Sequence, residues 1–228
     1  MKRFSVISSF LLIFVASSLF CSCSIEKEGK TDTSHFSQLT GRDYPCADWP
    51  AARMSHARNL LPNGLLRGWK EDDSLKHALN ALAGVPDDYL VWMGTLTKEY
   101  DFHISPSSGS SGGVALYPSY IYVSDDPSTI DLALQHEVGH IVQHRIDELT
   151  NDFDYPQNFY DSADENYDNP QLNAYPRSYG RHQDVYYKEY WAEAFNSFYC
   201  SQDTNSMLEK WFPSTYVILK QNLLPPIW

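Results

Sequence analysis

The chain has 228 residues, with 29 Asp and Glu against 17 Lys and Arg and a formal net charge of −12. That balance argues against a nucleic-acid partner, because no basic stretch is available to neutralise phosphates. It suits an acidic, solvated surface, with a preference for basic substrates as the sharper alternative.

Residues 1–22 read as a lipoprotein signal peptide. Lys2 and Arg3 precede an uncharged, largely apolar run from Phe4 to Phe20. Charge followed by apolar sequence is the order of a secretory signal, and the run is shorter than the ~20 residues that span a bilayer. It ends in Phe20-Cys21-Ser22-Cys23, which resembles a bacterial lipobox, where a small residue precedes a cysteine that is lipidated and becomes the new N-terminus. Cys23, after Ser22, fits better than Cys21, after Phe20. An ordinary signal that is cut to leave a soluble protein is the alternative. Cleavage removes the charges of Lys2 and Arg3 and takes the net charge from −12 to −14. A lipid anchor on Cys23 predicts an exported protein at the outer membrane or cell surface, on its periplasmic or extracellular face. Residues 23–45 are polar, show no apolar period and read as a tether. Residues 46–228 are enough for one domain with a sizeable core, expected to be monomeric.

Within that domain the sequence predicts helices over Pro50–Leu61, Ser74–Ala83 and Pro86–Lys98, stopped by Pro62-Asn63-Gly64, by Gly84 and by the alternation of Tyr100, Phe102 and Ile104. That alternation predicts a strand. Ser105–Gly113 reads as a Ser/Gly loop, with a lid as its functional alternative. Two short strands follow, Val114–Tyr117 and Tyr120–Val123. A strand of this kind at a sheet edge can take up an extended peptide by main-chain hydrogen bonds.

The next stretch organises the chain. His136-Glu137-Val138-Gly139-His140 is an H-E-x-x-H motif in a segment that reads as a helix from Asp126-Pro127 to about Leu149. Asp126 suits the N-cap and Pro127 the first turn. Residues four apart share a helix face, so His136 and His140 can grip one metal ion. Glu137 then lies beside the ion, positioned to take a proton from water. His144 continues the stripe but cannot join the same ion, because eight helical residues span about 12 Å and zinc–nitrogen bonds are about 2 Å. The later Gly and His of a metzincin are missing. Residues 151–178, rich in Asp, Asn, Tyr and Pro, read as a long irregular excursion.

A second helix is expected over Tyr187–Tyr199. It carries Glu189 and Glu193, again four apart, among Trp191, Phe195 and Phe198. Glu189 can complete a His-His-Glu zinc site that leaves one position for water. Glu193, one turn on, can accept the ring N–H of a liganding histidine. The bland reading is two exposed glutamates on an amphipathic helix.

Ser178-Tyr179-Gly180-Arg181 followed by Glu189-Tyr190-Trp191-Ala192-Glu193-Ala194-Phe195 resembles the C-terminal catalytic domain of anthrax lethal factor and the related secreted Pro-Pro endopeptidases. The likeness runs from about Pro86 to Leu223. It implies an α+β, zincin-like metallopeptidase domain: a small sheet whose edge strand precedes the active-site helix, and a mainly helical C-terminal part. It also implies a Zn2+ cofactor on His136, His140 and Glu189, Glu137 as the catalytic base, Glu193 in support, and Tyr179 as hydrogen-bond donor to the oxyanion. Tyr179 stands ten residues before Glu189, a longer gap than the family's, so Tyr186 and Tyr187 are its substitutes. The expected activity is zinc-dependent hydrolysis of a protein or peptide substrate. A non-catalytic binding lipoprotein and a zinc hydrolase of cell-wall peptides or small amides are the alternatives. Cys46 and Cys200 can form a disulfide outside the cytoplasm or remain two buried thiols.

Overall fold

The computed structural model describes residues 46–108, 112–150 and 157–228, with the main chain alone at 147–150 and 157. The expected signal peptide (1–22) and tether (23–45) lie outside the described residues. The fold is α+β, and its helices α1 (Ala51–Leu60), α2 (Asp73–Ala83) and α3 (Asp87–Tyr100) lead into the sheet strands β1 (His103–Ser107), β2 (Gly113–Leu116) and β3 (Tyr120–Ser124). The long α4 (Pro127–Thr150) follows, then α5 (Gln157–Asn166), α6 (Ala174–Arg177), α7 (Asp184–Tyr199), α8 (Gln202–Trp211) and α9 (Pro213–Asn222).

Local chemistry sets the helix starts. Asp72 accepts the Ser74 N–H at 3.0 Å ahead of α2, and Asp126 accepts the Ser128 N–H at 3.0 Å ahead of α4. Ser201 and Thr204 form a reciprocal capping box at α8. Each satisfies donors that a helix start leaves open. Asp101, in left-handed conformation after α3, pairs with Arg67 at 2.7 Å.

α4 and α7 form the centre. α4 packs on α2, α7, β2 and β3, and its Ile130, Ala133, Leu134, Val138, Ile141 and Val142 are fully buried. On α7, Tyr190, Phe195 and Tyr199 are equally enclosed. Burying a large apolar side chain contributes about 1.5–3 kcal/mol, so this seam is a major source of stability.

The sheet order is β1-β3-β2, with β1 parallel and β2 antiparallel to β3. The far side of β1 is occupied by residues 65–67, where Ile104 N donates to Leu65 O at 2.6 Å and Arg67 N to Ile104 O at 2.9 Å. β2 is therefore the sheet edge, and β3, which leads directly into α4, is central.

Two sequence readings change. α3 runs to Tyr100, so the strand expected from Tyr100 begins at His103 and continues through Ser107, into the predicted Ser105–Gly113 loop. Pairing with β3 overrides the weak strand preference of a Ser/Pro run. Residues 109–111 lie outside the described residues. The 151–178 excursion contains α5 and α6. Its period is hidden because the buried face of α5 mixes Phe159 and Ala163 with Ser162 and Asn166. Those polar groups are satisfied internally: Ser162 Oγ meets Thr215 Oγ1 at 2.7 Å, which in turn meets Tyr190 OH at 2.7 Å.

Cys46 and Cys200 are joined by a disulfide across 154 residues of sequence. The bridge fastens the start of the domain to the C-terminal end of α7. No helix among the described residues is long and apolar enough to cross a membrane.

Candidate metal centre

The two histidines of the motif project from α4 toward α7. Gly139 lets the helices meet: a Cβ there would lie 3.1 Å from Phe195 Cβ and 3.2 Å from Ala192 Cα. Trp191 Nε1 donates to Gly139 O at 3.1 Å and fixes the same crossing. The close approach brings Glu189 to the histidines. His136 Nε2 stands 3.1 Å from Glu189 Oε2 and 3.2 Å from His140 Nε2, and His140 Nε2 is 3.8 Å from Glu189 Oε2.

This donor set fits zinc. Ligands at ~2.0–2.2 Å in a tetrahedron stand about 3.3–3.6 Å apart, close to the three separations above. His136, His140 and Glu189 are all buried, and they are the group of His, Cys, Asp and Glu among the described residues that can hold an ion. Glu193, also buried, approaches the other ring nitrogen of His136, with Oε1 3.4 Å from Nδ1. A carboxylate there favours the tautomer that leaves Nε2 free to ligate.

The two histidines are shifted in opposite directions. Burial pushes His140 down to about 4, with Glu189 opposing and His136 and His144 adding to the fall. Burial also acts to lower His136, but hydrogen bonds and charge from Glu189 and Glu193 prevail and raise it well above its ordinary value. Burial raises Glu193 to about 7, against the pull of His136. The His136 ring thus stands between two carboxylates, Glu189 at Nε2 and Glu193 at Nδ1, which favour its charged form.

Glu137 is 0% exposed. Its carboxyl group lies against Gly113 at the start of β2, so near that a Cβ on Gly113 would stand 2.6 Å from Glu137 Oε1. The base of the motif is therefore packed against the sheet edge.

The tyrosines divide. Tyr186 OH donates to Ala163 O at 2.6 Å, and Tyr187 OH donates to Asp164 Oδ1 at 3.0 Å, so both are engaged with α5. Tyr179 OH donates to Tyr175 OH at 3.2 Å. Tyr175 on α6 is the phenol against the centre, its ring edge-on to His136 with centroids 6.3 Å apart. His144 is exposed and stacks on Tyr117 at 4.4 Å between centroids.

Sequence reasoning missed Tyr175, Gly113 and Gly139. Tyr175 stands in a four-residue helix capped by Asn173, which accepts the Tyr175 N–H at 3.1 Å. The Asn-Ala-Tyr-Pro signature of that cap was available in the sequence. Gly139 was visible inside the motif, but its closeness to Ala192 is a tertiary fact.

No curated protein matches the chain. Among solved structures, the chain is similar to that of the Pro-Pro endopeptidase PPEP-2 from Paenibacillus alvei, with a TM-score of 0.52 and 17% identity, over 73% of this chain and 99% of that one. At that identity the likeness is one of fold, and it agrees with the small sheet and helical C-terminal part described above. A family profile described as "Anthrax toxin lethal factor, N- and C-terminal domain" matches residues 101–222, more than half of the chain and all of the elements from β1 to α9. The chain carrying this His-His-Glu centre belongs to the anthrax toxin lethal factor family.

Proposed function

We propose that this protein is a zinc endopeptidase. The observation that carries the reading is the buried His136–His140–Glu189 donor set, in a motif whose Glu137 is buried as well. His136 Nε2, His140 Nε2 and a Glu189 carboxylate oxygen would hold the ion. When bound there, zinc acidifies water and polarises a carbonyl. Glu137 takes the proton of the attacking water and passes it to the leaving amine. Glu193 holds the Nδ1–H of His136 and keeps the imidazole turned for ligation. The β2 edge receives the substrate as an added strand.

The phenol pair of Tyr175 and Tyr179 supplies the donor to the developing oxyanion. Tyr179 donates into Tyr175, whose ring stands edge-on to His136. Loss of one such donor costs about 10²–10³ in kcat. Tyr175→Phe and Tyr179→Phe, measured side by side, tell which hydroxyl faces the substrate: the donor's variant carries the larger loss.

The reading extends to export, with residues 1–22 as signal peptide, Cys23 as lipid anchor, residues 23–45 as tether and a monomeric domain at the outer membrane or cell surface. Fatty-acid labelling of cells should tag the protein, and Cys23→Ala should remove the tag. Label that persists in Cys23→Ala and disappears in Cys21→Ala moves the anchor to Cys21.

Peptide-library cleavage followed by mass spectrometry tests the activity, with Glu137→Gln as control. Because the similar structure bears the name Pro-Pro endopeptidase, peptides with a Pro–Pro bond are the first to include. Zinc-loaded protein that cleaves no peptide, and whose Glu137→Gln variant behaves identically, returns the protein to the non-catalytic alternative. Cleavage confined to cell-wall fragments supports the hydrolase of cell-wall peptides.

A further inference from the structure

Gly113 has no conformational reason to be glycine. The residues whose glycine occupies the left-handed region are Gly64, Gly68 and Gly180, whereas Gly113 is a strand residue paired with Val123. Glycine inside a strand weakens it, and it persists where another group approaches the backbone closely. The approaching group here is the Glu137 side chain. A Cβ on Gly113 would stand 2.6 Å from Oε1, 2.7 Å from Cγ and 3.0 Å from Cδ of Glu137. The space of a side chain at 113 is thus already filled by the end of the Glu137 side chain.

Neither partner is loosely held. Gly113 is fixed on β3 by the ladder, which continues one residue outward through Ser124 N donating to Gly112 O at 2.7 Å. Glu137 is on the inner face of α4, with Val138 and the two histidines buried around it. We infer that Gly113 is a positioning residue for Glu137: by lacking a side chain, the sheet edge forms the wall that sets where the carboxylate stands relative to the histidine pair. The inference rests on the peptidase reading for its consequence in catalysis, but the steric relation does not.

The consequence follows from scale. A reacting group displaced by about 1 Å can cost on the order of 10² in rate, and a methyl group at 113 must displace either the carboxylate or β2. Gly113→Ala is therefore expected to lower kcat by about 10–100-fold, while KM changes little and zinc content stays at the wild-type level. A structure of the variant should place the Glu137 carboxylate away from β2, with His136, His140 and Glu189 unmoved. Shortening the acid should relieve the conflict, so Gly113→Ala should cost far less in a Glu137→Asp background than in the native one. Unchanged kcat, loss of zinc, or a carboxylate that stays in place while β2 shifts would each overturn the inference. Should Gly113→Ala fail to fold, recovery of a folded protein in Gly113→Ala/Glu137→Ala upholds the steric relation, and continued misfolding of the double variant overturns it. The reaction reading fails separately, by a Glu137→Gln protein that still cleaves, and that result leaves the crystallographic displacement standing.

Discussion

α4 and α7 each present two ionisable residues four positions apart, and the pairs are used differently. On α4 both members, His136 and His140, bring Nε2 to one point, 3.2 Å from each other. On α7 the pair is split. Glu189 reaches that point, while Glu193 goes to the far nitrogen of His136, 3.4 Å from Nδ1. Spacing of four places residues on one face, but it does not decide whether they meet the same atom. Depth relative to the partner helix decides it, and that depth is set where Gly139 meets Ala192 and Phe195.

The strongest test breaks the α7 pair at its ligand. Glu189→Ala should lose zinc and all cleavage, read by elemental analysis beside turnover of one peptide. The asymmetry is then measured at the other member. Glu193→Ala should keep zinc at reduced affinity and lose about 10–100-fold in activity, the usual cost of disturbing a ligand's supporting partner. A metal-free Glu193 variant beside a zinc-containing Glu189 variant would reverse the two assignments.

Gly139→Ala tests the depth itself. A methyl group between the helices overpacks the seam, at a cost of about 1–3 kcal/mol. Thermal unfolding should show the loss, and zinc affinity should fall with it because Glu189 is pushed back from the histidines. A variant with lowered melting temperature and intact zinc affinity would separate packing from site geometry.

The smallest effect is on pH. His136 carries a raised pKa in the metal-free protein, so near neutrality it holds a proton that zinc must displace from Nε2. Affinity should therefore fall as pH falls, by about tenfold per unit for each proton released. Calorimetric zinc titrations in buffers of different ionisation enthalpy count those protons. Zero release at pH 7 would mean that His136 is already neutral there.

The same contrast explains how much was legible beforehand. His136, Glu137 and His140 could be read because their chemistry is encoded in spacing along one helix. Glu189 and Glu193 were recognisable as a pair, since acids among Trp191, Phe195 and Phe198 need employment, and their division of labour came from family resemblance. Tyr175 was missed because it reaches His136 from α6, in a segment without apolar period. The hidden helix α5 shows the same limit, because Ser162 and Asn166 occupy its inner face, Ser162 meeting Thr215 of α9 and Asn166 donating back to Ser162 O. Gly113 is the extreme case: nothing local distinguishes it from Gly109 or Gly112, and its meaning lies in a side chain 24 positions later.

The Cys46–Cys200 bridge has a mechanical consequence. Whatever the chain is attached to upstream of Cys46 pulls first on Cys200 through the sulfurs, not on α1. Every site residue lies inside the covalent loop and carries none of that load. Under tension between residue 46 and residue 228, the oxidised protein can pay out only the 28 residues after Cys200, roughly 95 Å at full extension. Reduction would free the loop between Cys46 and Cys200, a sequence separation of 154, and add roughly 500 Å. A single-molecule pulling trace with and without reductant would show that difference as one large step, and the oxidised protein should keep its metal centre while stretched.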